Sequence, residues 1–341
     1  MNNLLKKCII PLLLCIFVVP GCARQQLSPQ TEFIMGTVCT INLYEKGTRR
    51  IYQRIFNRLR EIDLLMSANM AETQIEKING QAGIAPVKVH KDVITVIEKA
   101  LHFAEISNGS FDPTIGPIVK LWGIGFDYEH LPRQDEIDAI LPLINWRDVQ
   151  IDKQSNTVFL RRPGMGLDLG SIAKGYAADE AARIIREARI PGAIIDLGGN
   201  VFAFGVKQNN RPWVVGIQDP SGRRGSYIGV VELKNKTIVT SGVYERYFEQ
   251  DGKRYHHLFN PKDGYPAENG LLSVTIITDH SIDADALSTC IFVMGYEKGK
   301  ALVDSIDNAE ALFIFEDFTI KGTAGAMEHF TLTDNSFTLV P

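Results

Sequence analysis

A carboxylate and a hydroxyl late in the chain are spaced so that together they could hold a metal ion. Asp285 and Thr289 lie four residues apart, about one helical turn, at the mouth of an apolar helix predicted over 286–294. Both side chains therefore project from one face of the helix. Hard divalent cations such as Mg²⁺ prefer oxygen ligands of this kind. The spacing indicates a magnesium site.

The stretches before this pair, 241–248 and 255–266, are dense in polar, aromatic and turn-forming residues. This density is typical of a site for a large, polar, phosphate-bearing ligand. If the second stretch is extended, the adjacent His256 and His257 point to opposite faces, so that one can face the site. An imidazole there is suited to general-base catalysis, and a purely structural histidine is the alternative. Zinc is not expected, because no other His or Cys stands at ligand spacing.

A second polar cluster precedes a helix predicted over 172–189. Asp168 comes before a Gly-Ser turn, and Lys174 follows in the first turn of that helix. Backbone N–H groups at a helix start, with a lysine nearby, form a favourable seat for a pyrophosphate. Ser171 is also a candidate N-cap residue, and a hydroxyl can cap a helix and contact a ligand at once.

Two further stretches, 107–117 and 121–125, are rich in glycine and proline. Such stretches commonly serve as rigid connectors. The first also contains Asp112 and Thr114, so a ligand-binding loop is the other interpretation. Both interpretations stay open at this point.

Composition limits the class of protein. The chain has 341 residues, 45% of them hydrophobic, and a net charge of −4. This length allows one large domain or two smaller ones. Because no long basic run follows residue 54, nucleic acid is not an expected partner.

The amino terminus carries an export signal. Lys6 and Lys7 precede an apolar run over 8–19, which is short for a membrane span, and Gly21 stands directly before Cys22. This resembles a bacterial lipoprotein cleavage site, with an ordinary signal peptide or an uncleaved anchor as alternatives. We therefore expect a signal peptide at 1–21, a lipid anchor on Cys22 and a tether to residue 32. Such a protein is held at a bacterial membrane, facing the periplasm or the cell exterior.

The hydrophobic pattern mixes strands and helices without a βαβ alternation, which favours an α+β fold. Cys39 and Cys290 lie in apolar contexts and are expected in the core, although a disulfide between them stays open. The predicted helices cover 48–65, 92–107, 135–141, 172–189 and 286–294. The predicted strands cover 33–44, 149–160 as a hairpin, 193–196, 201–205, 213–217, 227–233, 237–240, 272–277, 312–315, 319–322, 330–332 and 338–340.

The polar clusters, taken in order, resemble the FAD:protein FMN transferase family, the ApbE-type flavin transferases, which are often lipoproteins. The matching motifs lie at 35–37, 107–117, 168–177, 196–200, 241–247, 257–266 and 284–289. They cover nearly the whole mature chain. The resemblance implies a single flavin transferase domain over 33–341, with mixed sheets flanked by helices and two interleaved lobes around a flavin cleft.

The resemblance also implies the chemistry. Such enzymes bind FAD and Mg²⁺, cleave the pyrophosphate and attach FMN through a phosphoester bond to a Ser or Thr of an acceptor protein in a membrane redox complex, releasing AMP. It assigns catalysis to His257 as base and to Asp285, and metal ligation to Ser171, Asp285 and Thr289. It assigns flavin or phosphate contacts to Met35, Asn69, Ser110, Phe111, Asp112, Asp168, Lys174, Phe259 and Ser288.

One departure from the family bears on the outcome of the reaction. Many members carry Tyr where Asn69 stands, and a stacking aromatic there adds about 0.5–1.5 kcal/mol beyond area burial. Members without it can hydrolyse FAD to FMN and AMP, so transfer, hydrolysis or both are open. A second departure is Asn260, which stands where Asp is common in the family.

A non-catalytic flavin-binding lipoprotein is the third functional hypothesis, after transfer and hydrolysis. It is disfavoured because a storage protein needs no pair of metal ligands.

Overall fold

The computed structural model describes residues 27–223 and 225–340, and its elements are those of an α+β fold. The strands are β1 (Gln30–Ile34), β2 (Thr37–Tyr44), β3 (Val87–Lys88), β4 (Val149–Asp152), β5 (Thr157–Leu160), β6 (Gly192–Leu197), β7 (Asn200–Gly205), β8 (Trp213–Gln218), β9 (Tyr227–Leu233), β10 (Lys236–Gly242), β11 (Tyr247–Gln250), β12 (Lys253–His256), β13 (Leu271–Thr278), β14 (Glu310–Phe315), β15 (Thr319–Gly322), β16 (Phe330–Leu332) and β17 (Thr338–Leu339). The helices are α1 (Arg49–Met66), α2 (Gln74–Gly80), α3 (Lys91–Ile106), α4 (Gly116–Trp122), α5 (Gln134–Ile140), α6 (Ala173–Glu187), α7 (Ser281–Met294), α8 (Tyr296–Asp304) and α9 (Ala324–His329).

A nine-stranded sheet dominates the described part of the chain, in the order β1-β2-β6-β7-β10-β13-β14-β15-β17. Neighbouring strands are antiparallel except β15 and β17, which are parallel, so the sheet is mixed. Smaller sheets are formed by β16-β9-β8, by β3-β5-β4 and by the β11-β12 hairpin. The predicted α+β class with mixed sheets is confirmed.

The main hydrophobic core draws on distant parts of the chain. It joins Ile55 of α1, Ile97 of α3, Ile185 of α6, Phe292 of α7 and Phe313 of β14. Helix α7 packs on β10 and β13, and α6 packs against both α1 and α7. The first and last thirds of the chain therefore complete one core.

Helices α6 and α7 approach each other at a glycine. A Cβ on Gly175 would lie 2.2 Å from the backbone oxygen of Ser281, so only glycine fits there. Asp179 of α6 caps the start of α7: its carboxylate accepts from the backbone N–H of Ser281 at 2.8 Å and of Ile282 at 2.9 Å. Burial raises the pKa of Asp179 to about 6. This crossing fixes α7 relative to the start of α6.

Two predicted boundaries were wrong. The strand predicted over 33–44 is a hairpin, because Met35 and Gly36 take positive φ values of 56° and 67° and reverse the chain. Helix α7 starts at Ser281, five residues before its predicted start, because both faces of its first turns are buried and no amphipathic pattern marks them. The glycine- and proline-rich stretches over 107–117 and 121–125 are joined by a short helix of seven residues, α4.

Several short elements carried too weak a signal to be predicted: α2, α8, α9, β3 and the β11-β12 hairpin. Cys39 and Cys290 are both buried and free, which confirms the core prediction and leaves no disulfide between them. In the described ranges no helix is long and apolar enough to cross a bilayer. The predicted signal peptide and Cys22 lie outside the described residues.

Candidate active site

A cavity of about 430 Å³ lies between the β1-β2 turn, the start of α6, strand β10 and helix α7. Most of the residues that the sequence assigned to one site line it together: Asn69, Ser110, Phe111, Asp112, Asp168, Ser171, Lys174, His257, Phe259, Asp285 and Thr289. Met35 and Ser288 do not. The clusters are far apart in sequence, and the fold gathers them around one space.

Asp285 is buried in the second turn of α7 and uses only part of its hydrogen-bonding capacity. Its Oδ2 accepts from the backbone N–H of Gly175 at 2.8 Å. Its Oδ1 has no hydrogen-bond donor in the described chain, and the nearest cation is the Nζ of Lys174 at 3.9 Å. Lys174 itself donates to the backbone oxygen of Gly170 at 3.0 Å. The Oδ1 atom is therefore available to a cation in the cavity.

Thr289, another predicted metal ligand, lies beside a short chain of hydrogen-bonded serine hydroxyls. Thr289 Oγ1 lies 3.4 Å from Ser241 Oγ, a long contact that leaves Thr289 free to bind elsewhere. Ser241 Oγ donates to Ser288 Oγ at 2.8 Å, and Ser288 Oγ donates to the backbone oxygen of Asp285 at 2.9 Å. Ser288 is buried and does not line the cavity, so its phosphate contact stays a prediction. It positions the helix turn that carries Asp285.

Ser171 lines the cavity but does not cap α6. The helix begins at Ala173, and Ile172 occupies the N-cap position without a side-chain hydrogen bond. The capping alternative is therefore wrong. The Ser171 hydroxyl faces the same cavity as Asp285 and Thr289, so the residue remains a candidate ligand.

Asp168 is half-buried in the cavity wall and lies within the electrostatic influence of two cations. Its Oδ1 accepts from the backbone N–H of Gly170 at 2.7 Å. Burial raises the pKa of Asp168, and the positive charges of Lys174 and Arg246 act against that rise. The two cations give this side of the cavity a positive potential that suits phosphate oxygens.

His257 lines the cavity beyond the end of β12, with its ring held by a backbone carbonyl. Its Nδ1 lies 3.2 Å from the oxygen of Arg246. Because a carbonyl oxygen only accepts, this contact requires the proton on Nδ1 and leaves the lone pair on Nε2. Burial, and then the charge of Arg246, lower the pKa of His257 to about 3. The imidazole is therefore neutral at pH 7.

The neighbouring histidine faces the other way, as the extended pattern predicted. His256 is buried and packs edge-on against Phe292, at 5.7 Å between ring centroids. Its Nδ1 accepts from the backbone N–H of Leu258 at 3.3 Å. Burial lowers the pKa of His256 to about 4. His256 is thus a structural histidine.

The Asp112 loop combines the two roles that the sequence left open. Asp112 Oδ1 accepts from the backbone N–H and the hydroxyl of Thr114, at 2.8 and 2.7 Å, and Oδ2 accepts from the backbone N–H of Trp146 at 3.0 Å. Its carboxylate therefore shapes the loop. Ser110 and Phe111 of the same loop line the cavity. The loop is rigid and also forms part of the site.

The β1-β2 turn lines the cavity through Gly36 and not through the side chain of Met35. The Met35 side chain is partly buried against the main core and does not line the cavity, and its backbone N–H donates to Asp63 at 3.0 Å. Its flavin contact stays a prediction. Gly36 and Thr37 line the cavity instead. A Cβ on Gly198 would lie 2.0 Å from Thr37 Oγ1, so glycine allows this close approach.

The assignment of roles from the sequence missed Arg246. Its motif was visible at 241–247, but nothing in the spacing showed where its side chain goes. In the structure Arg246 lines the cavity, and its guanidinium reaches the β1-β2 turn, with Nη2 3.8 Å from the position of a Cβ on Gly36. Residues 215–218 of β8 and Tyr244 were also missed, because their cavity-facing positions depend on tertiary packing.

These features define an α+β enzyme whose cleft is suited to a large phosphate-bearing ligand. The model of the ApbE family matches residues 35–313. The FAD:protein FMN transferase of Treponema pallidum is 38% identical over 94% of this chain and 93% of its own length. The FAD:protein FMN transferase of Klebsiella pneumoniae is 36% identical over 90% of this chain and 95% of its own.

Solved structures agree with these relatives. The ApbE protein of Thermotoga maritima superposes with a TM-score of 0.82 at 33% identity, covering 89% of this chain and 98% of its own. The flavin transferase ApbE of Vibrio cholerae gives a TM-score of 0.76 at 27% identity, covering 91% and 97%. The chain belongs to the ApbE family, which confirms the predicted resemblance.

Proposed function

We propose that this chain is a Mg²⁺-dependent FAD:protein FMN transferase. It cleaves the pyrophosphate of FAD, attaches FMN through a phosphoester bond to a Ser or Thr of an acceptor protein, and releases AMP. Family membership supports the transferase class. The observation that carries the metal-dependent chemistry is the Oδ1 of Asp285, which accepts no hydrogen bond in the described chain and shares a cavity with Thr289 and two cations.

The donor set fits a magnesium ion. Among the described residues no group of three or more His, Cys, Asp or Glu side chains could hold a metal by itself. Mg²⁺ is commonly bound by one or two carboxylates together with substrate phosphates and water, so a single carboxylate with nearby hydroxyls suits it. Asp285 and Thr289 would hold the ion, with Ser171 beside them. When bound, the ion supplies charge neutralisation at the pyrophosphate.

The protein's own residues handle the ligand and the proton. Lys174 and Arg246 place positive charge where the phosphate oxygens bind. His257 Nε2 accepts the proton of the acceptor hydroxyl as the oxygen–phosphorus bond forms. The phosphoanhydride bond to AMP breaks in the same transfer, and AMP leaves with the bonding electron pair. Asp168 and the Asp112 loop hold the walls of the cavity in place.

A direct assay tests this proposal. The purified chain is incubated with FAD and Mg²⁺, with and without an acceptor, while AMP, FMN and protein-bound FMN are followed over time. We expect AMP release that requires the metal and stops with EDTA. FAD that stays intact in every condition would contradict the proposal and would favour a flavin-binding protein without turnover.

A second activity, FAD hydrolysis to FMN and AMP, is favoured by one observation. Asn69 is exposed at the cavity wall, and its backbone N–H is held by Ser67 Oγ at 3.2 Å. An amide there stacks poorly on an aromatic ring and leaves room for water. Water can then replace the acceptor hydroxyl as the nucleophile.

Asn69→Tyr is expected to suppress this hydrolysis. A stacking ring should tighten FAD binding by about two- to tenfold, which corresponds to about 0.5–1.5 kcal/mol, and should lower AMP release without acceptor. The measurement compares FAD affinity and AMP release for the two proteins. Asn69→Ala is the control that removes the amide without adding a ring. Equal AMP release from the Tyr variant and the wild type would refute the role of residue 69.

The cellular setting is part of the same proposal. We infer from the first 22 residues that the mature chain is lipid-anchored through Cys22 and faces the periplasm or cell exterior. Its acceptor would then be a flavoprotein of a membrane redox complex.

A further inference from the structure

One edge of the domain, at the strand ends that lie opposite the flavin cavity, carries a concentration of positive charge. It is formed by three segments, 45–50, 186–191 and 206–211, which we call the basic edge. These segments hold seven Lys and Arg residues and two Glu residues, a net charge of +5 in a chain whose total is −4. A local reversal of sign of this size is typical of a surface that meets an anionic partner.

The three segments of the basic edge lie side by side because neighbouring strands end together. Strand β2 pairs with β6 so that Tyr44 lies opposite Gly192, and β6 pairs with β7 so that Gly192 lies opposite Gly205. Helix α1 packs against α6, and Arg54 of α1 forms an ion pair with Glu187 at the end of α6. The start of α1, the end of α6 and the segment after β7 therefore form one surface.

The first turn of α1 shows that this charge does not serve the stability of the helix. Arg49 and Arg50 occupy that turn, both are exposed, and no acidic residue accompanies them there. The N-terminal end of a helix is the positive end of its dipole, where acidic residues stabilise and basic residues destabilise. In the described chain, the salt bridges of α1 are formed further along the helix, by Arg54, Arg58 and Arg60. The charges of Arg49 and Arg50 are thus left for a partner outside the chain.

The path of the chain into the sheet indicates which partner this is. Strand β1 enters the sheet from the side of the basic edge, because Gln30 pairs with Ile41 and the strand then runs to the turn at the cavity. Leu27 packs on the main core, and Cys22, proposed above as the lipid site, comes five residues earlier. Five extended residues span at most about 17 Å. A lipid on Cys22 therefore keeps the basic edge within reach of the bilayer surface.

We propose that the basic edge binds the anionic headgroups of the membrane that holds the lipid anchor, so that the flavin cavity faces away from the bilayer. The inference rests on the membrane setting proposed above and not on the transferase chemistry. Anionic lipids attract Lys and Arg side chains that lie at the bilayer surface. The cavity is lined by Gly36 and Gly198, at the other ends of β2 and β6. The six residues of β6 separate the two ends by about 20 Å, which holds the cavity clear of the headgroups.

Vesicle binding by the chain without its lipid tests this proposal. The chain from Ala23 contains every described element and the whole hydrophobic core, so it folds without the anchor. It is mixed with vesicles of phosphatidylcholine, or with vesicles that also contain phosphatidylglycerol, and the bound fraction is measured by sedimentation. The test variant carries Arg49→Glu and Arg50→Glu. The matched control carries Lys88→Glu and Lys298→Glu, at two exposed cations of β3 and α8 that form no ion pair in the described chain.

The wild type and the control should bind the anionic vesicles and not the neutral ones, and added salt should release them. The Arg49→Glu, Arg50→Glu variant should lower this binding by at least about tenfold. Its melting temperature should stay equal or rise, because glutamate suits the start of a helix. Equal binding by the variant and the wild type, or no preference for anionic vesicles, would overturn the proposal. AMP release from FAD, measured on the same samples, reports on the transferase function alone, so the two failures are distinguishable.

Discussion

Asp285→Asn is expected to lower the release of AMP from FAD by at least about a thousandfold, because a bound metal ion contributes several kcal/mol of charge stabilisation in phosphoryl transfer. The amide keeps the shape of the side chain, and its oxygen can still accept from the N–H of Gly175. It removes the charge that Oδ1 offers to a cation. The variant should therefore fold normally and lose its response to added Mg²⁺.

The control for this substitution lies two residues upstream in the same helix. Asp283 is paired with Lys99 at 2.7 Å and does not line the cavity, so Asp283→Asn should keep nearly full activity. AMP release is measured for both variants over a range of Mg²⁺ concentrations, and the melting temperature confirms folding. Asp285→Asn that retained wild-type AMP release and the same Mg²⁺ dependence would remove Asp285 from the metal site.

His257→Gln is expected to lower FMN transfer to an acceptor hydroxyl by about a hundred- to ten-thousandfold, the usual contribution of a general base. The glutamine side chain can hydrogen-bond but cannot take up the proton. FAD affinity should change little, because the proposed phosphate contacts lie on Lys174 and Arg246. Single-turnover transfer and FAD binding are measured in parallel. His102→Gln, at an exposed histidine of α3 that does not line the cavity, is the control and should retain transfer.

The pH profile of transfer gives a separate check on His257. The active form of a general base is the neutral one, which exists above its pKa and is lost as the pH falls through it. Because burial lowers the pKa of His257 to about 3, this group should remain active between pH 8 and pH 5. An ordinary histidine would lose half its activity near pH 6.5. A half-loss near pH 6.5 that disappears in His257→Gln would show that the imidazole is not held as described.

The sequence predicted elements well where one face of a segment is buried. Helix α1 shows this, because Ile55, Leu59 and Ile62 repeat at helical spacing and Thr48 caps its start. Helix α7 does not, because Asp285 and Ser288 are buried along with its apolar residues. Asp285 Oδ2 is held by the N–H of Gly175 and Ser288 Oγ by the hydroxyl of Ser241, and these two partners come from other elements. Such tertiary contacts leave no periodic signal in the sequence.

The sequence predicted those residues of the candidate site whose side chains have a recognisable chemistry of their own. Asp285, Thr289 and His257 stood out by residue type and spacing, and the structure brings them to one cavity. Met35 and Ser288 do not line it, because a motif marks the neighbourhood of a site and not the direction of each side chain. The role of Arg246 depends on the β11-β12 hairpin, which the sequence did not reveal.

The order of strands in the central sheet also determines how much of the chain must fold before the cavity is complete. Strand β2 hydrogen-bonds to β6, so that Cys39 pairs with Leu197, and the cavity is completed only by Asp285 and Thr289 of α7. Contacts this distant in sequence form late in folding. A chain that is still being synthesised therefore has no complete cavity until α7, which ends at Met294, has been made and can fold. A fragment that stops before α7 should bind no FAD, even though it contains Asp168 and Lys174.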